Sequence, residues 1–348
     1  MSKPNFSQNW GIVGHQNVVD FLKKSLKSQT TSHAYLFYGP TNIGKGKIVQ
    51  NFIAALFCQN PESGQPCNNC LNCQQLTKNI HPDVIWLCQE RDTKTKKLKK
   101  NISVDQIREL RSRLQKGSFL DSYKIGIVDP ADLLNIEAAN ALLKILEEPA
   151  DKVIIILLAE KLESLPQTIA SRCQKIKFEL VSRNDIYSYL LELGSNRQLA
   201  DELSYLAAGR PGQAIKFYQQ PDLYADYQKT LEQFFELLNN NLTTKLKIVQ
   251  KLTEKNKDST ARSQQLNQIL NIWSTALRDI LLVKNYHQEG IPTGLTNFWL
   301  LDKIKKNAII KQENQVIASW LEAIAETKVL LKNNINPQLA LEALILNF

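Results

Sequence analysis

The sequence predicts a parallel α/β domain with helices on both faces, followed by a wholly helical C-terminal part. Three observations predict it. Apolar runs of strand length alternate with amphipathic segments of helix length from Ala34 to about Cys173. One run, Val153–Leu158, is apolar throughout, as a strand covered on both faces must be. Beyond Val181 the strand signals fade and only helical periodicity remains.

The elements follow in order. Gly11-Ile-Val-Gly14-His15 is a turn-rich lead, and Asn17 to Ser28 reads as a helix with Val18, Phe21, Leu22 and Leu26 on one face. Ala34–Tyr38 reads as a buried strand and Ile48–Phe57 as a helix. Between them stands Gly39-Pro-Thr-Asn-Ile-Gly44-Lys45-Gly46-Lys47. Strand, glycine-rich loop and helix together make a phosphate-binding loop: glycines let N–H groups curl around phosphate oxygens, Lys45 adds charge, and the helix N-terminus adds its dipole. The pattern wants Ser or Thr after Gly-Lys to hold Mg²⁺, and Gly46 stands there. Val84–Leu87 is a further strand, Ile102–Leu114 a helix with Ser103 as N-cap, and Lys124–Val128 a strand that delivers Asp129. A carboxylate so placed suits Mg²⁺ beside a phosphate loop, but the following residue is Pro130 rather than an acid. Asn135–Glu148 is a helix with Ile136, Ala139, Leu143 and Leu146 on one face, stopped by Pro149. Asn184–Leu193 and Arg197–Ala208 read as helices ended by Gly209-Arg-Pro-Gly212. Two apolar stripes then mark helices, Leu231/Phe234/Phe235/Leu238 and Leu266/Ile269/Ile272/Trp273, and further helices span Lys311–Lys332 and Pro337–Asn347.

Cys58, Cys67, Cys70 and Cys73 fall as C-x8-C-x2-C-x2-C. Four thiolates so close suit a tetrahedral structural Zn²⁺ site, with Pro61, Gly64 and Pro66 turning the longer link; free thiols or two disulfides are the alternatives. All four positions being protein ligands argues against a catalytic metal. His81 reads as a capping or packing residue rather than a ligand. No apolar run is long enough to cross a bilayer and no signal peptide is readable, so a cytoplasmic protein with reduced cysteines is expected. The net charge of +9 fits either a polyanionic partner such as DNA or a lysine-rich surface without one, because Lys and Arg are spread along the chain. The basic run Arg91–Lys100 reads as a solvated loop.

Taken together, these motifs resemble the delta-prime subunits of bacterial DNA polymerase III clamp loaders, within the AAA+ clamp-loader family. The resemblance rests on Gly39–Lys45, the cysteine spacing, His81-Pro82-Asp83, Ala138-Ala-Asn-Ala-Leu-Leu-Lys-Ile-Leu-Glu-Glu-Pro149 and Ser171-Arg172-Cys173, and covers about Gly11 to Gly212. It implies an AAA+ P-loop domain over 1–178 with a zinc module at about 58–100, a helical lid domain over 179–219, and an all-helical collar over 220–348. It implies that Gly39, Gly44, Lys45 and Asp129 are a vestigial or weak nucleotide site and that Arg172 is an arginine finger reaching a neighbouring subunit's ATP. The implied partners are gamma/tau and delta types of subunit in a hetero-oligomeric ring and, indirectly, the sliding clamp and primed DNA.

The departures from that family pattern shape the expected role. Gly46 lacks the Mg²⁺ hydroxyl and Pro130 replaces the catalytic glutamate. The sensor-1 position falls at Ala159-Glu160, and Gly212 stands where active subunits carry the sensor-2 arginine. Four losses together predict a non-hydrolysing stator, with no ATPase or polymerase activity of its own, within the DNA polymerase III holoenzyme. ATP occupancy of the loop stays open. The rival expectations are an active gamma/tau-type ATPase motor and a stand-alone zinc-containing DNA-binding protein that uses the basic loop.

Overall fold

Strand formation follows the apolar runs. In the computed structural model, which describes residues 9–92, 98–118, 122–254, 259–286, 290–306, 312–333 and 335–348, β1 (Ala34–Tyr38), β2 (Val84–Leu87), β3 (Lys124–Val128) and β4 (Val153–Ala159) coincide with those runs. A fifth strand, β5 (Gln174–Lys177), does not announce itself in the sequence. Its Gln-Lys-Ile-Lys buries only Ile176 and lies at a sheet edge, where one apolar residue suffices. The order is β2-β3-β4-β1-β5, and every neighbouring pair is parallel. β4 is central and buried at all seven positions, which is why its sequence is apolar without alternation.

Helices cover both faces. The helices of this part of the chain are α1 (Gln16–Lys27), α2 (Lys45–Phe57), α3 (Leu71–Thr77), α4 (Val104–Gln115), α5 (Ile136–Glu147), α6 (Gln167–Ala170) and α7 (Arg183–Glu192). On one face Leu36, Ile155 and Leu157 pack with Leu110 and Leu114 of α4 and Leu142 and Leu146 of α5. On the other, Tyr35 meets Phe52 of α2 edge-on at 5.5 Å. α4 begins with a reciprocal capping box between Ser103 and Gln106, as the sequence predicts from Ser103. Two predicted faces need correction. α1 buries Val19, Leu22 and Ser25 while Phe21 is exposed, and α5 buries Ala138, Ala139, Leu142, Ile145 and Leu146 while Ile136 is 78% exposed. Ile136 is the first residue of α5, where an apolar residue can satisfy the 3.6 period and still project past the core.

The chain forms two compact units, the first Met1–Tyr189 with Gly209–Gln213, the second Leu190–Ala208 with Ala214–Phe348. The second is helical: α8 (Arg197–Leu206), α9 (Pro211–Gln219), α10 (Pro221–Asn239), α11 (Leu242–Glu254), α12 (Ser259–Lys284), α13 (Leu301–Lys306), α14 (Asn314–Lys332) and α15 (Pro337–Leu346), with α9 starting in the first unit. Gly209 ends a turn as expected, with φ of 79°, but Gly212 does not stop a helix; it lies in the first turn of α9, where Pro211 supplies the start. In the second unit Trp273 stacks on Phe234 at 5.1 Å. Asp279, fully buried, accepts from the backbone N–H of Asn297 at 2.8 Å, its side-chain amide at 2.8 Å and the Thr296 N–H at 3.2 Å. Asn297 in turn accepts from the Tyr227 hydroxyl at 2.8 Å, so one carboxylate ties α10 and α12 to the segment before α13.

Asp279→Ala strands several buried donors at once. It should lower the stability of the C-terminal unit by roughly 2–4 kcal/mol, read as a shifted urea midpoint for that unit.

Candidate functional site

Parallel strands bring their C-terminal ends to one edge of the sheet, and the loops there form the site. Gly39 follows β1, Asp129 follows β3 and Glu160 follows β4. Gly39 is fixed by packing: its φ is 147°, and a Cβ there would lie 2.4 Å from the Phe178 carbonyl oxygen. Gly44 caps α2 with φ of 109°, a left-handed conformation that favours glycine. Gly46 has open space around it and no positive φ, so a side chain at 46 would be accommodated. The missing hydroxyl is a matter of sequence, not of room.

Lys45 turns back on its own loop. Its ammonium donates to the Gly39 carbonyl and, at 2.8 Å, to the Pro40 carbonyl. Burial pulls its pKa below the usual lysine range, opposed by the charges of Glu160, Asp129 and Asp132. Asp129 is shifted up by burial, opposed by Lys45. The Pro130 bond is cis, and a 3-10 turn at Ala131–Leu133 follows. Asp132, on that turn, accepts from the Glu160 N–H at 2.8 Å and from the Ser164 hydroxyl. Ala159 is buried and offers no polar side chain.

The first turn of α9 meets the phosphate loop directly. The Gly212 N–H donates to the Asn42 carbonyl at 2.8 Å, and a Cβ on Gly212 would stand 2.7 Å from that same oxygen. Backbone therefore touches backbone at this position. On the lead segment His15 caps α1 and its ring lies 4.9 Å from Phe178. Burial lowers its pKa, opposed by a hydrogen bond to the Ile43 backbone and by Glu179.

Arg172, just after α6, is partly exposed and tethered within its own subunit. Nη2 pairs with Glu147 Oε1 at 2.7 Å and Nη1 donates to the Thr168 carbonyl at 2.9 Å.

The four cysteines converge. The Sγ atoms of Cys58, Cys67, Cys70 and Cys73 all lie within 4.8 Å of one another. The Cys67 N–H donates to Cys58 Sγ at 3.2 Å and the Cys70 N–H to Cys67 Sγ at 3.3 Å. N–H groups aimed at sulfur favour thiolates. Against burial, which raises it, donors from Gln59 and Cys73 hold Cys70 down to about 6, while burial pushes the Cys73 thiol up. A Zn–S bond of about 2.3 Å sets tetrahedral sulfur separations of about 3.8 Å, so a modest contraction would close a four-sulfur cage. The module is pinned by Asn72, which donates to the Phe57 carbonyl at 2.8 Å, and by the Trp10 indole, which donates to Gly64 at 2.9 Å. His81 stays out of the cage: it packs on Phe57 at 4.4 Å and accepts from the Asp83 N–H at 3.3 Å. Residues 93–97 of the basic run Arg91–Lys100 lie outside the described residues.

The sequence family described as DNA polymerase III, delta subunit, matches residues 14–182. The delta-prime subunit of DNA polymerase III from Bacillus subtilis is 28% identical over 94% of this chain and 94% of its own length. The chain carries that family's domain over residues 14–182 and is similar over nearly its whole length to a delta-prime subunit of DNA polymerase III. A second delta-prime subunit, from Pseudomonas aeruginosa, is 39% identical over 41% of this chain and 42% of its own length. The tau subunit of Bacillus subtilis is 34% identical over 55% of this chain and 32% of its own length. The chain thus spans less than half the length of these two relatives.

The structure groups Gly39, Gly44, Lys45 and Asp129 around one sheet edge, gathers the four cysteines in a separate module, and sets Arg172 just past the end of α6. Sequence reasoning missed Asn42, Asp132 and Glu147. Asn42 and Asp132 act through backbone and carboxylate contacts that no motif spells out. Glu147 left one signal, a carboxylate at the C-terminal end of a helix, where the dipole disfavours it.

Cys70→Ser, or chelation, should lower the melting temperature of the N-terminal unit by roughly 10 °C or more, because metal bound only by the folded state adds its binding energy to folding. Elemental analysis should find one zinc per chain in the wild type. Gly212→Ala should destabilise the same unit by about 1–3 kcal/mol in urea titration, by forcing apart α9 and the phosphate loop.

Proposed function

We propose that this chain is a non-hydrolysing stator of a clamp loader: it holds its place in a ring with gamma/tau and delta types of subunit, and gives Arg172 to the neighbour's ATP. The ring opens the sliding clamp and places it on primed DNA during replication in the cytoplasm. Residues 1–178 form the AAA+ domain with a structural zinc at Cys58, Cys67, Cys70 and Cys73, 179–219 the lid, and 220–348 the collar that joins the ring.

The observation that carries the reading is the Gly212–Asn42 contact. Phosphoryl transfer depends on positioned charge around the γ-phosphate, and in active subunits a sensor arginine supplies part of it. Here the backbone occupies that position and a side chain would collide with the loop. Lys45, the residue that should grip phosphate, is spent on Gly39 and Pro40 carbonyls. Gly46 brings no hydroxyl to Mg²⁺, Pro130 brings no base, and Ala159 brings no polar group. Arg172, by contrast, is partly exposed, with its guanidinium held by Glu147 and the Thr168 carbonyl.

The similarity to a tau subunit favours one other reading, an active ATPase motor. Steady-state hydrolysis by the isolated chain, with and without primed DNA, separates the two. The stator shows no turnover above background, and Gly46→Thr alone does not create it. Robust turnover abolished by Lys45→Ala would establish the motor instead.

The finger is tested in the assembled ring, with the ATP sites not adjoining this chain inactivated. Arg172→Ala should leave assembly intact and slow single-turnover hydrolysis at the adjoining site by about 10³-fold. An unchanged rate would remove the finger role.

A further inference from the structure

Arg172 is held in a defined plane by its own subunit. A guanidinium is flat and rigid and carries five N–H donors, and two contacts at its two terminal nitrogens fix both its tilt and its direction. Glu147 takes Nη2 at 2.7 Å and the Thr168 carbonyl takes Nη1 at 2.9 Å. Three N–H donors remain, on a side chain that is 37% exposed.

Both holding groups sit on anchored backbone. Glu147 ends α5, whose Ile145 and Leu146 are buried in the core, and Thr168 lies in α6, whose Ile169 and Ala170 are buried beside them. Glu147 stands where an acid is electrostatically unfavourable, at the negative end of a helix and next to Glu148. Arg172 is the cation that offsets this placement. An arginine on a short turn, left alone, would sample many rotamers; a carboxylate and a carbonyl on fixed elements remove that freedom before the neighbour arrives.

We infer that Glu147 is a positioning residue for Arg172: with the Thr168 carbonyl it sets the guanidinium plane, leaving the remaining donors for the phosphate oxygens of a nucleotide bound by the adjoining subunit. This rests on the reading of Arg172 as a finger. Glu147 touches neither nucleotide nor reacting atoms, and it acts through the arginine alone.

The test uses the assembled ring with only the adjoining ATP site active. Glu147→Gln keeps size and removes charge. It should slow single-turnover hydrolysis about three-fold, the scale of a partly exposed ion pair, with nucleotide affinity unchanged. Glu147→Asp should restore part of the loss. Glu147→Gln added to Arg172→Ala should slow hydrolysis no further, since the pair acts as one unit. Thermal melts of the variants should match the wild type. If Arg172→Ala is slow but Glu147→Gln runs at the wild-type rate, the positioning role fails while the finger stands. If Glu147→Gln is faster, Glu147 restrains the arginine and the inference is overturned. If Arg172→Ala itself changes nothing, both fall together.

Discussion

Backbone contact between Gly212 and Asn42 is the constraint on which the organisation of the phosphate-loop edge depends. An N–H at the start of α9 donates to a carbonyl of the loop, at a separation that excludes even a methyl group. The loop is thereby closed from above by a helix start and from below by Phe178, which forbids a Cβ on Gly39. Lys45 completes the closure from inside, by donating to two carbonyls of the same loop. A lysine is one of the devices that ordinarily receive phosphate, and in this chain it has internal acceptors. Gly39 answers to packing and Gly44 to φ, so both are required whether or not a nucleotide ever binds.

Much of the fold was legible because burial on two faces leaves a plain signature. β4 is apolar at every position and β1, β2 and β3 fall where the apolar runs fall. β5 escaped because an edge strand needs only one buried side chain, and Lys-Ile-Lys alternation over four residues is too short to stand out. Gly212 was read as punctuation because glycine after proline commonly marks a turn, whereas here it answers to Asn42, far away in the sequence and outside any local signal. The predicted helices were right in extent and wrong in face at Phe21 and Ile136, since periodicity finds the stripe but not where the core ends.

Site residues divide in the same way. Those defined by a motif were named in advance: the loop glycines, Lys45, Asp129, the cysteine set and Arg172. The convergence of four sulfurs within 4.8 Å follows from x2 spacings that allow little else. Residues that act on those residues were not named, because Glu147, Thr168, Asp132 and Asn42 owe their importance to which element packs beside them. Asp132 shows the point well. It accepts from the Glu160 N–H at the end of β4, a contact between the loops of two different strands.

The two halves of the site differ in a way that energetics makes sense of. Lys45 and the Gly212 N–H each have an acceptor within the phosphate loop, and burial works against the charge of both Lys45 and Asp129. Opening that arrangement for a triphosphate means breaking a helix contact and two carbonyl contacts before any is gained. Around Arg172 the partners are at the surface, where an ion pair in water is worth at most about 1 kcal/mol. Such a pair orients the arginine while costing little to share with a stronger anion. In the proposed ring, a polyphosphate in a neighbouring subunit would offer more negative charge than Glu147 and the Thr168 carbonyl together, so the arginine would turn its free donors outward without first losing its anchor. Closure by internal contacts around Lys45 and a light tether on Arg172 are opposite arrangements reached with the same side-chain chemistry on one sheet edge and its flank, as the proposed stator role requires.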